Sequence, residues 1–193
     1  KVLHNRCVEM ARRYNVKLVV KSSMMPGEGT VVKECTKMEK MLISGVATDK
    51  NIAKISVSGM KNDPESTFKL LNLMAGNNLN IDVMIQSLDH DGTKTLTFTV
   101  ARADMLVAVK LLEENSSVLG NVEVRCQEDV AKVSVVGAGV SANAGVAAKM
   151  FEALSGAGIN TDMITTSEIR ITAVVREDEA ETAMRAVHDR FAE

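Results

Sequence analysis

The hydrophobic and polar positions of this chain follow one pattern twice. The run AKISVSG at 53–59 returns as AKVSVVG at 131–137, 78 positions later. The segment LNID at 79–82 returns as INTD at 159–162, 80 positions later, so the register slips by two residues in the turn after the first strand. A period this long in only two copies indicates paired domains, because solenoids need three or more short units. We therefore expect two similar small domains, with a ligand site built from both.

The first copy contains a helix that packs on a sheet. Phe68, Leu71 and Ala75, together with Leu70 and Met74, recur at the i, i+3, i+4, i+7 spacing of such a helix. This stripe predicts which face of the helix is buried.

Two local signals fix the ends of elements in the first copy. Asp63 before Pro64 predicts a helix start, with an acidic N-cap and proline at the first helical position. The dipeptide at 91–92, Asp-Gly, predicts a tight hairpin. The predicted elements are a strand at 53–59, a helix at 63–77, strands at 81–88 and 94–100, a helix at 104–115 and a strand at 122–127.

The second copy lacks one strand. Its predicted elements are a strand at 131–137, a helix at 144–157, strands at 162–167 and 169–176, and a helix at 179–191. An incomplete sheet would expose unpaired backbone groups along an edge. The apolar run at 42–47, ahead of the first copy, predicts the missing strand.

The fold class that follows is α+β. Each copy reads as a ferredoxin-like βαββαβ unit of one sheet and two helices, and the first copy is inserted within the second. We expect the first domain to span 52–128 and the second to span 42–51 plus 129–193.

The first part of the chain is predicted to be separate. Residues 1–22 predict a helix followed by a strand, and 22–30 predict a turn-rich loop. Residues 31–40 are polar and charged and form the predicted linker, so we assign 1–37 to this N-terminal part. The chain opens with Lys1 inside a helical pattern, which leads us to expect a piece of a longer protein.

Composition narrows the function classes. The chain has 193 residues, 46% of them hydrophobic, and a formal net charge of −2, as in an ordinary globular protein. This charge argues against nucleic-acid binding, which usually needs a basic face. No apolar run approaches the roughly 18 residues of a membrane helix, and no signal peptide precedes the first element. Cys7, Cys35 and Cys126 share no metal-type spacing and are interpreted as reduced thiols. We therefore expect a cytoplasmic protein with no nucleic-acid or membrane partner.

A glycine-rich loop offers one alternative. The run GAGVSA at 137–142 follows a strand and resembles a G-x-G-x-x-A dinucleotide fingerprint. The equivalent loop of the first copy, at 59–64, lacks the pattern, and a Rossmann unit needs more parallel sheet than one copy supplies. A nucleotide-dependent enzyme is therefore the weakest of three hypotheses.

Other chemistry has little support in the sequence. His4, His90 and His188 fall in separate elements with no Cys or acid cluster beside them, and we interpret them as surface residues. No Ser-His-Asp or Cys-His set can be assembled. An RNA-recognition module needs several exposed aromatics, whereas Phe98 is alone on its strand and the second copy has none there. We expect no catalytic residue, no metal and no cofactor in this chain.

What remains is the loop between the first strand and the first helix of each copy. Free backbone N–H groups at a helix start can hold a carboxylate. On the facing strand, Gln86, Thr166 and Ser167 can receive an amino or hydroxyl group. This arrangement is suited to binding a free amino acid.

At these residues the repeats resemble ACT domains, and their pairing resembles the regulatory region of the aspartate kinase family. Residues 1–30 resemble the end of an amino-acid-kinase catalytic domain, whose ATP and aspartate sites lie further upstream. The resemblance covers essentially the whole chain in order. The matching stretches are 2–23, 43–50, 80–86, 132–139, 145–154, 166–171 and 186–188.

The resemblance implies a regulatory function. In the family, the full enzyme uses ATP and Mg²⁺ to convert L-aspartate to 4-phospho-L-aspartate, and the ACT region is the feedback sensor. The first ACT domain of one chain packs beside the second of its partner, so that a homodimer forms and threonine or lysine binds at the interface. A kinase domain or a separate catalytic subunit is the other implied partner.

The resemblance also assigns effector contacts by position. In the first copy they are Asn62, Asp63, Thr67, Asn80, Ile81, Asp82 and Gln86. In the second copy they are Val146, Ala147, Thr161, Asp162, Ser167, Glu168 and Ile169.

Two loops depart from the family pattern. Where the family often has glycine after Pro64, this chain has Glu65, which we expect to bring a negative charge near the first site. The run at 143–145, Asn-Ala-Gly, replaces a frequent His-Pro-Gly but keeps the glycine. Residues 38–39 resemble the start of the short, separately made subunits of the family. The main alternative to an effector sensor is a tandem-ACT dimerisation module that senses no ligand.

Overall fold

The structure of the protein is a computed structural model that describes residues 3–24, 27–32, 43–137, 140, 143 and 145–192. The chain divides into two compact units, Lys1–Lys40 and Met41–Glu193. Several sequence predictions fall outside the described residues. They are Cys35, most of the linker at 31–40, the possible subunit start at 38–39, Leu42 at the start of a predicted strand, and most of the glycine-rich loop at 137–142.

The first unit contains one helix and two paired strands. Helix α1 (Asn5–Arg13) is capped by His4, whose Nδ1 accepts a hydrogen bond from the backbone N–H of Arg6 at 3.3 Å. Strand β1 (Leu18–Val20) pairs antiparallel with β2 (Thr30–Val32). The predicted helix followed by a strand is confirmed. Strand β2 was predicted as the end of a loop and the start of a linker, because three residues carry too short a pattern to indicate a strand.

The second unit contains both repeats. Its elements are β3 (Gly45–Asp49), β4 (Ile52–Met60), α2 (Pro64–Gly76), β5 (Met84–Leu88), β6 (Lys94–Ala101), α3 (Met105–Glu114), α4 (Ser116–Leu119), β7 (Glu123–Gln127), β8 (Val130–Val136), α5 (Gly145–Gly156), β9 (Met163–Thr166), β10 (Arg170–Arg176) and α6 (Ala180–Ala192). Short 3₁₀ turns, Arg102–Asp104 and Glu177–Glu179, follow β6 and β10. Among the described residues, no helix has the length and apolar character needed to cross a membrane.

The first repeat is a four-stranded antiparallel sheet in the order β5-β6-β4-β7. One face of the sheet packs against α2 and α3 around a core that includes Ile55, Leu70, Phe98 and Leu112. Buried residues of β4 alternate with half-buried ones, as expected for a strand in the middle of a sheet. The predicted ferredoxin-like βαββαβ unit is confirmed.

The second repeat is completed by a strand that precedes the first. Strand β3 pairs antiparallel with β8, with Val46 opposite Val135, and the sheet order is β3-β8-β10-β9. Its core includes Val133, Met150 and Val187. The predicted pairing of the run at 42–47 with the second copy is therefore present in the structure. The domain boundaries themselves remain a prediction.

Helix α2 buries part of the predicted stripe. Ser66, Leu70 and Met74 are buried, whereas Phe68 is 65% exposed. At 100° per residue, position 68 lies about 200° from position 70, so the two cannot share a narrow buried face. Leu71, also in the predicted stripe, is partly buried against the same core, so the stripe is wrong only at Phe68 and Ala75, which are exposed.

The second strand of the first repeat is shorter than predicted. It begins at Met84 and not at 81, because the segment before it bonds to β6 outside a regular ladder. The backbone N–H of Asp82 donates to the Thr99 carbonyl at 3.1 Å, and that of Val83 donates to the Thr99 hydroxyl at 3.1 Å. In the second repeat the N–H of Asp162 likewise donates to the Val174 carbonyl, at 2.8 Å.

A small apolar core joins the two repeats. Ile52 and Val83 of the first repeat are buried with Val130, Met163 and Val174 of the second. Ile52 and Val130 are equivalent residues of the two copies, and so are Val83 and Met163, which indicates a pseudo-two-fold arrangement.

Candidate functional site

Two acidic residues assigned to the effector site hold the repeats together. Lys132 of the second repeat pairs with Asp82 of the first, and Lys54 of the first pairs with Asp162 of the second. The two lysines are at equivalent positions, as are the two aspartates, so each repeat contributes one lysine and one aspartate to the two ion pairs. Asp82 and Asp162 therefore already have cationic partners within the chain.

The charge of Asp82 is favoured by this contact. The pKa of the Asp82 carboxyl is lowered by the hydrogen bond from Lys132 and by the charges of Lys132 and Arg170, against a smaller rise from burial. Nη2 of Arg170 lies 3.7 Å from Oδ1 of Asp82. Lys132 also lies 3.3 Å from Asp49 at the end of β3. The second-repeat lysine thus links the preceding strand to the first repeat.

The structure brings together three of the residues assigned to the first-repeat site. Asp63 caps α2, with its Oδ1 accepting from the Ser66 N–H at 2.7 Å. One turn into the helix, the Thr67 hydroxyl donates to Oε1 of Gln86 on the neighbouring strand β5 at 3.1 Å. Helix start and strand are therefore joined directly where the sequence predicted a ligand site.

Hydrogen bonding keeps Asp63 ionised. Interactions with the Ser66 side chain and backbone N–H, followed by the charges of Lys94 and Lys61, lower the pKa of Asp63, against a partial rise from desolvation. A charged carboxylate at the N-cap stabilises the helix start.

Lys94 is a member of this cluster that sequence reasoning missed. Its Nζ donates to the Asp63 carbonyl and to the Thr67 hydroxyl, each at 2.6 Å. The signal was in the repeat itself. Ser56 pairs with Thr97 in the first repeat as the equivalent Ser134 pairs with Thr172 in the second. Strands β6 and β10 are therefore equivalent with an offset of 75 positions. By this offset Lys94 is equivalent to Ile169, which was assigned to the site.

The other first-repeat positions lie around this cluster. Asn62 and Asn80 are exposed, in the loops before and after α2, and Ile81 packs against the core of the repeat. Glu65, expected to bring a negative charge to the site, pairs instead with Lys69 one turn further along α2, at 3.0 Å.

The second-repeat positions divide into core and surface. Val146 is buried and Ala147 packs against the same core, so a ligand here would meet backbone groups more than these side chains. The N–H of Gly145 donates to Oδ1 of Asn143 at 3.0 Å, which places a capping side chain at the start of α5. Thr161 is half-buried, as is its counterpart Ile81 in the first repeat.

The end of β9 forms a tight turn. The N–H and hydroxyl of Ser167 both donate to the Arg170 carbonyl, at 2.7 and 3.2 Å. Glu168 and Ile169, within this turn, are exposed. Among the second-repeat positions, this turn is open to solvent, and the described residues form no side-chain bridge there like the one between Thr67 and Gln86. Across the described residues, no group of His, Cys, Asp and Glu is arranged to hold a metal ion.

The two ferredoxin-like repeats meet around a pseudo-two-fold axis, and each has a helix start that faces a strand edge. This architecture is that of a regulatory protein of the ACT type. The family model described as ACT domain matches residues 133–191. The chain belongs to the aspartate kinase family, in its regulatory region. It is 41% identical over 194 residues to the aspartokinase of Pseudomonas aeruginosa, covering 99% of this chain and 47% of that protein.

Solved structures agree with this assignment. The regulatory subunit of aspartate kinase from Thermus thermophilus, in its ligand-free form, is 35% identical with a TM-score of 0.73 and covers 78% of this chain and 99% of its own. A structure of aspartokinase alpha and beta subunits is 36% identical with a TM-score of 0.73, again covering 78% of this chain and 99% of its own. The chain spans about half the length of the curated relatives it matches.

Proposed function

We propose that this chain is the feedback-sensing part of an aspartate kinase and that it binds threonine, lysine or both. The full enzyme would use ATP and Mg²⁺ to phosphorylate L-aspartate to 4-phospho-L-aspartate in the cytoplasm. The ATP and aspartate sites would lie in a kinase domain or catalytic subunit that partners this chain. The sensor itself would need no cofactor.

The observation that carries the proposal is the bridge from Thr67 to Gln86. Because Oε1 of Gln86 accepts from Thr67, the amide nitrogen of Gln86 is turned away from the helix. That nitrogen has no hydrogen-bond partner in the described part of the chain, and Gln86 is exposed. It is therefore free to donate to an oxygen atom of a bound amino acid, beside a helix start that Asp63 caps.

Binding at this site would link ligand to regulation through the repeat interface. Asn80 to Asp82 connect α2 to β5, and Asp82 pairs with Lys132 of the other repeat. A ligand that orders the helix start and the strand would also order this connection. Its binding free energy would then favour one arrangement of the two repeats over another.

The proposal is tested by calorimetry with threonine and with lysine on the parent chain, Gln86→Ala and the control Gln127→Ala on the outer strand β7. Leaving a ligand group unpaired costs about 1–3 kcal/mol, or roughly ten- to a hundredfold in affinity. We expect that loss for Gln86→Ala and no change for the control. In the full enzyme, Gln86→Ala should relieve inhibition without changing uninhibited turnover. Equal affinity of parent and Gln86→Ala would place the sensing site elsewhere.

A dimerisation module without ligand sensing is the second candidate, and exposed apolar residues favour it. Met84 on β5 and Ile164 on β9 are equivalent residues on edge strands, 44% and 46% exposed, and Phe68 is exposed beside Thr67. Surfaces of this kind are often covered by a partner, as in the homodimer that we propose, with the sheets of two chains joined edge to edge or packed side by side. Light scattering should report a dimer under either function. A dimer that gives no heat with threonine or lysine would favour the module over the sensor.

A further inference from the structure

Lys94 is buried to an extent unusual for a lysine. It is 3% exposed, at the first position of β6, where it lies opposite Met60 on one neighbouring strand and Leu88 on the other. Its side chain extends to the start of α2. Lysine is almost never fully buried unless its charge is paired.

The hydrogen-bond partners of the Lys94 ammonium are neutral oxygen atoms. It donates to the Asp63 carbonyl and the Thr67 hydroxyl, and no carboxylate in the described part of the chain lies within ion-pair distance. The other two well-shielded lysines differ in this respect, since Lys54 pairs with Asp162 and Lys132 pairs with Asp82 and Asp49. Two of the three ammonium protons of Lys94 are therefore used, and its charge acts on the Asp63 carboxylate without forming an ion pair with it.

The chain of hydrogen bonds that begins at Lys94 ends in a donor toward a ligand. Lys94 donates to Thr67, Thr67 donates to Gln86, and the Gln86 amide nitrogen remains as a donor at the surface. At the start of α2, Pro64 has no N–H and the N–H of Ser66 already donates to Asp63, so the donors toward a ligand come from side chains. In the second repeat the position of Lys94 is held by Ile169, so that copy has no cation there.

We infer that Lys94 makes the first-repeat site selective for an amino acid that presents carboxylate and hydroxyl oxygens and selective against one with a cationic side chain. Threonine fits this description and lysine does not, because a second ammonium would meet the like charge of the buried Lys94. The two repeats would then differ in effector specificity, with cation exclusion confined to the first. This inference rests on the proposed function and specifies the ligand class of the same site.

The experiment measures the ratio of threonine to lysine affinity by calorimetry. The variants are Lys94→Met, which keeps the length of the side chain and removes the charge, and Lys110→Met, which removes an exposed charge from α3. We expect Lys94→Met to lower the ratio at least tenfold and Lys110→Met to leave it unchanged. Amide spectra of the parent chain should show threonine, and not lysine at the same concentration, shifting Thr67 and Gln86.

The outcomes separate this inference from the proposal beneath it. If the parent binds neither amino acid, the proposed sensor function fails and the inference fails with it. If the parent binds threonine but Lys94→Met keeps the same ratio, or lysine shifts Thr67 and Gln86 of the parent as strongly as threonine does, the inference alone is overturned. The spectra of the parent decide the question even if Lys94→Met does not fold.

Discussion

Arg102 and Glu177 occupy the same position in the two repeats, and they bind each other, with Nη2 of Arg102 lying 2.7 Å from Oε2 of Glu177. Their backbones are matched as well, because the N–H of Arg102 donates to the Asn51 carbonyl and the N–H of Glu177 to the Asp129 carbonyl. Equivalent residues meet only near a symmetry axis. Two identical charges at the axis would repel each other. Because the two repeats carry opposite charges at this position, the contact is attractive.

The axis pair should contribute a measurable coupling. In a double-mutant cycle of Arg102→Met and Glu177→Gln, we expect a coupling free energy of about 0.5–1 kcal/mol in urea unfolding, because both side chains are about one-third exposed and solvent screens them. Arg102→Glu should destabilise more than Arg102→Met, since it places like charges at the axis. Additive effects of the two single changes would mean that the pair does not join the repeats.

The contact of Asp82 with Lys132 should make stability depend on pH. The pKa of Asp82 is lowered in the folded chain from an ordinary value of 3.8, so its contribution is fully present above that value and is lost as the pH falls through the lowered pKa. We expect Asp82→Asn to melt below the parent at neutral pH and to approach it below about pH 4, with a modest difference because solvent partly screens the pair. Asp189→Asn, at an exposed position on α6, serves as the control. A gap between parent and Asp82→Asn that stays constant with pH would contradict the assignment.

A buried hydroxyl pair in the second repeat allows a sharper test. The Ser134 and Thr172 hydroxyls lie 2.8 Å apart between β8 and β10, and both residues are buried. Thr172→Val should cost about 1–3 kcal/mol, because it leaves the Ser134 hydroxyl without its partner. Adding Ser134→Ala should recover part of that loss, since no polar group then remains unpaired.

The equivalent pair of the first repeat provides the comparison. Ser56 and Thr97 lie 3.0 Å apart but are only partly buried. Thr97→Val should cost less than Thr172→Val, because solvent can replace the lost partner. Free energies of unfolding from urea titration check both expectations, and a double variant no more stable than Thr172→Val would count against the pairing.

The strand ahead of the first repeat should be required by the second. A chain that begins at Ile52 lacks β3, so β8 loses its neighbour and Val46 no longer covers the core of that repeat. We expect its second repeat to lose thermal stability and amide protection while the first repeat keeps both. A chain that begins at Ile43 retains β3 and is the control. Equal melting of the two truncated chains would show that β3 is dispensable.

Much of the fold could be predicted because its signals are local. Asp63 before Pro64 marks the start of α2, and the repeat itself revealed that the second sheet lacked a strand. The exposed position of Phe68 could not be predicted, because two rows of apolar residues on α2 satisfy the same helical spacing and only tertiary packing selects one.

The site was predicted less completely, for a related reason. Gln86 and Thr67 were assigned by resemblance, and the structure joins them. Lys94 was missed because its partners, Asp63 and Thr67, lie about 30 residues earlier, and nothing local to Lys94 indicates that it is buried. The pairing of Asp82 with Lys132 likewise depends on how the repeats pack, which no single segment encodes.

The insertion of one repeat within the other also sets an order of assembly during synthesis. Strand β3 ends at Asp49 and its neighbour β8 begins at Val130, so 80 residues (50–129) are made between them. At a synthesis rate of about 5–20 residues per second, roughly 4–16 s pass between the synthesis of β3 and that of β8. The first repeat is complete by then, and because β4 and β7 are adjacent in its sheet, it holds the chain entering and leaving it side by side. We therefore expect that long loop to close before the second repeat folds, with the first repeat as the template that sets Asp49 opposite Lys132.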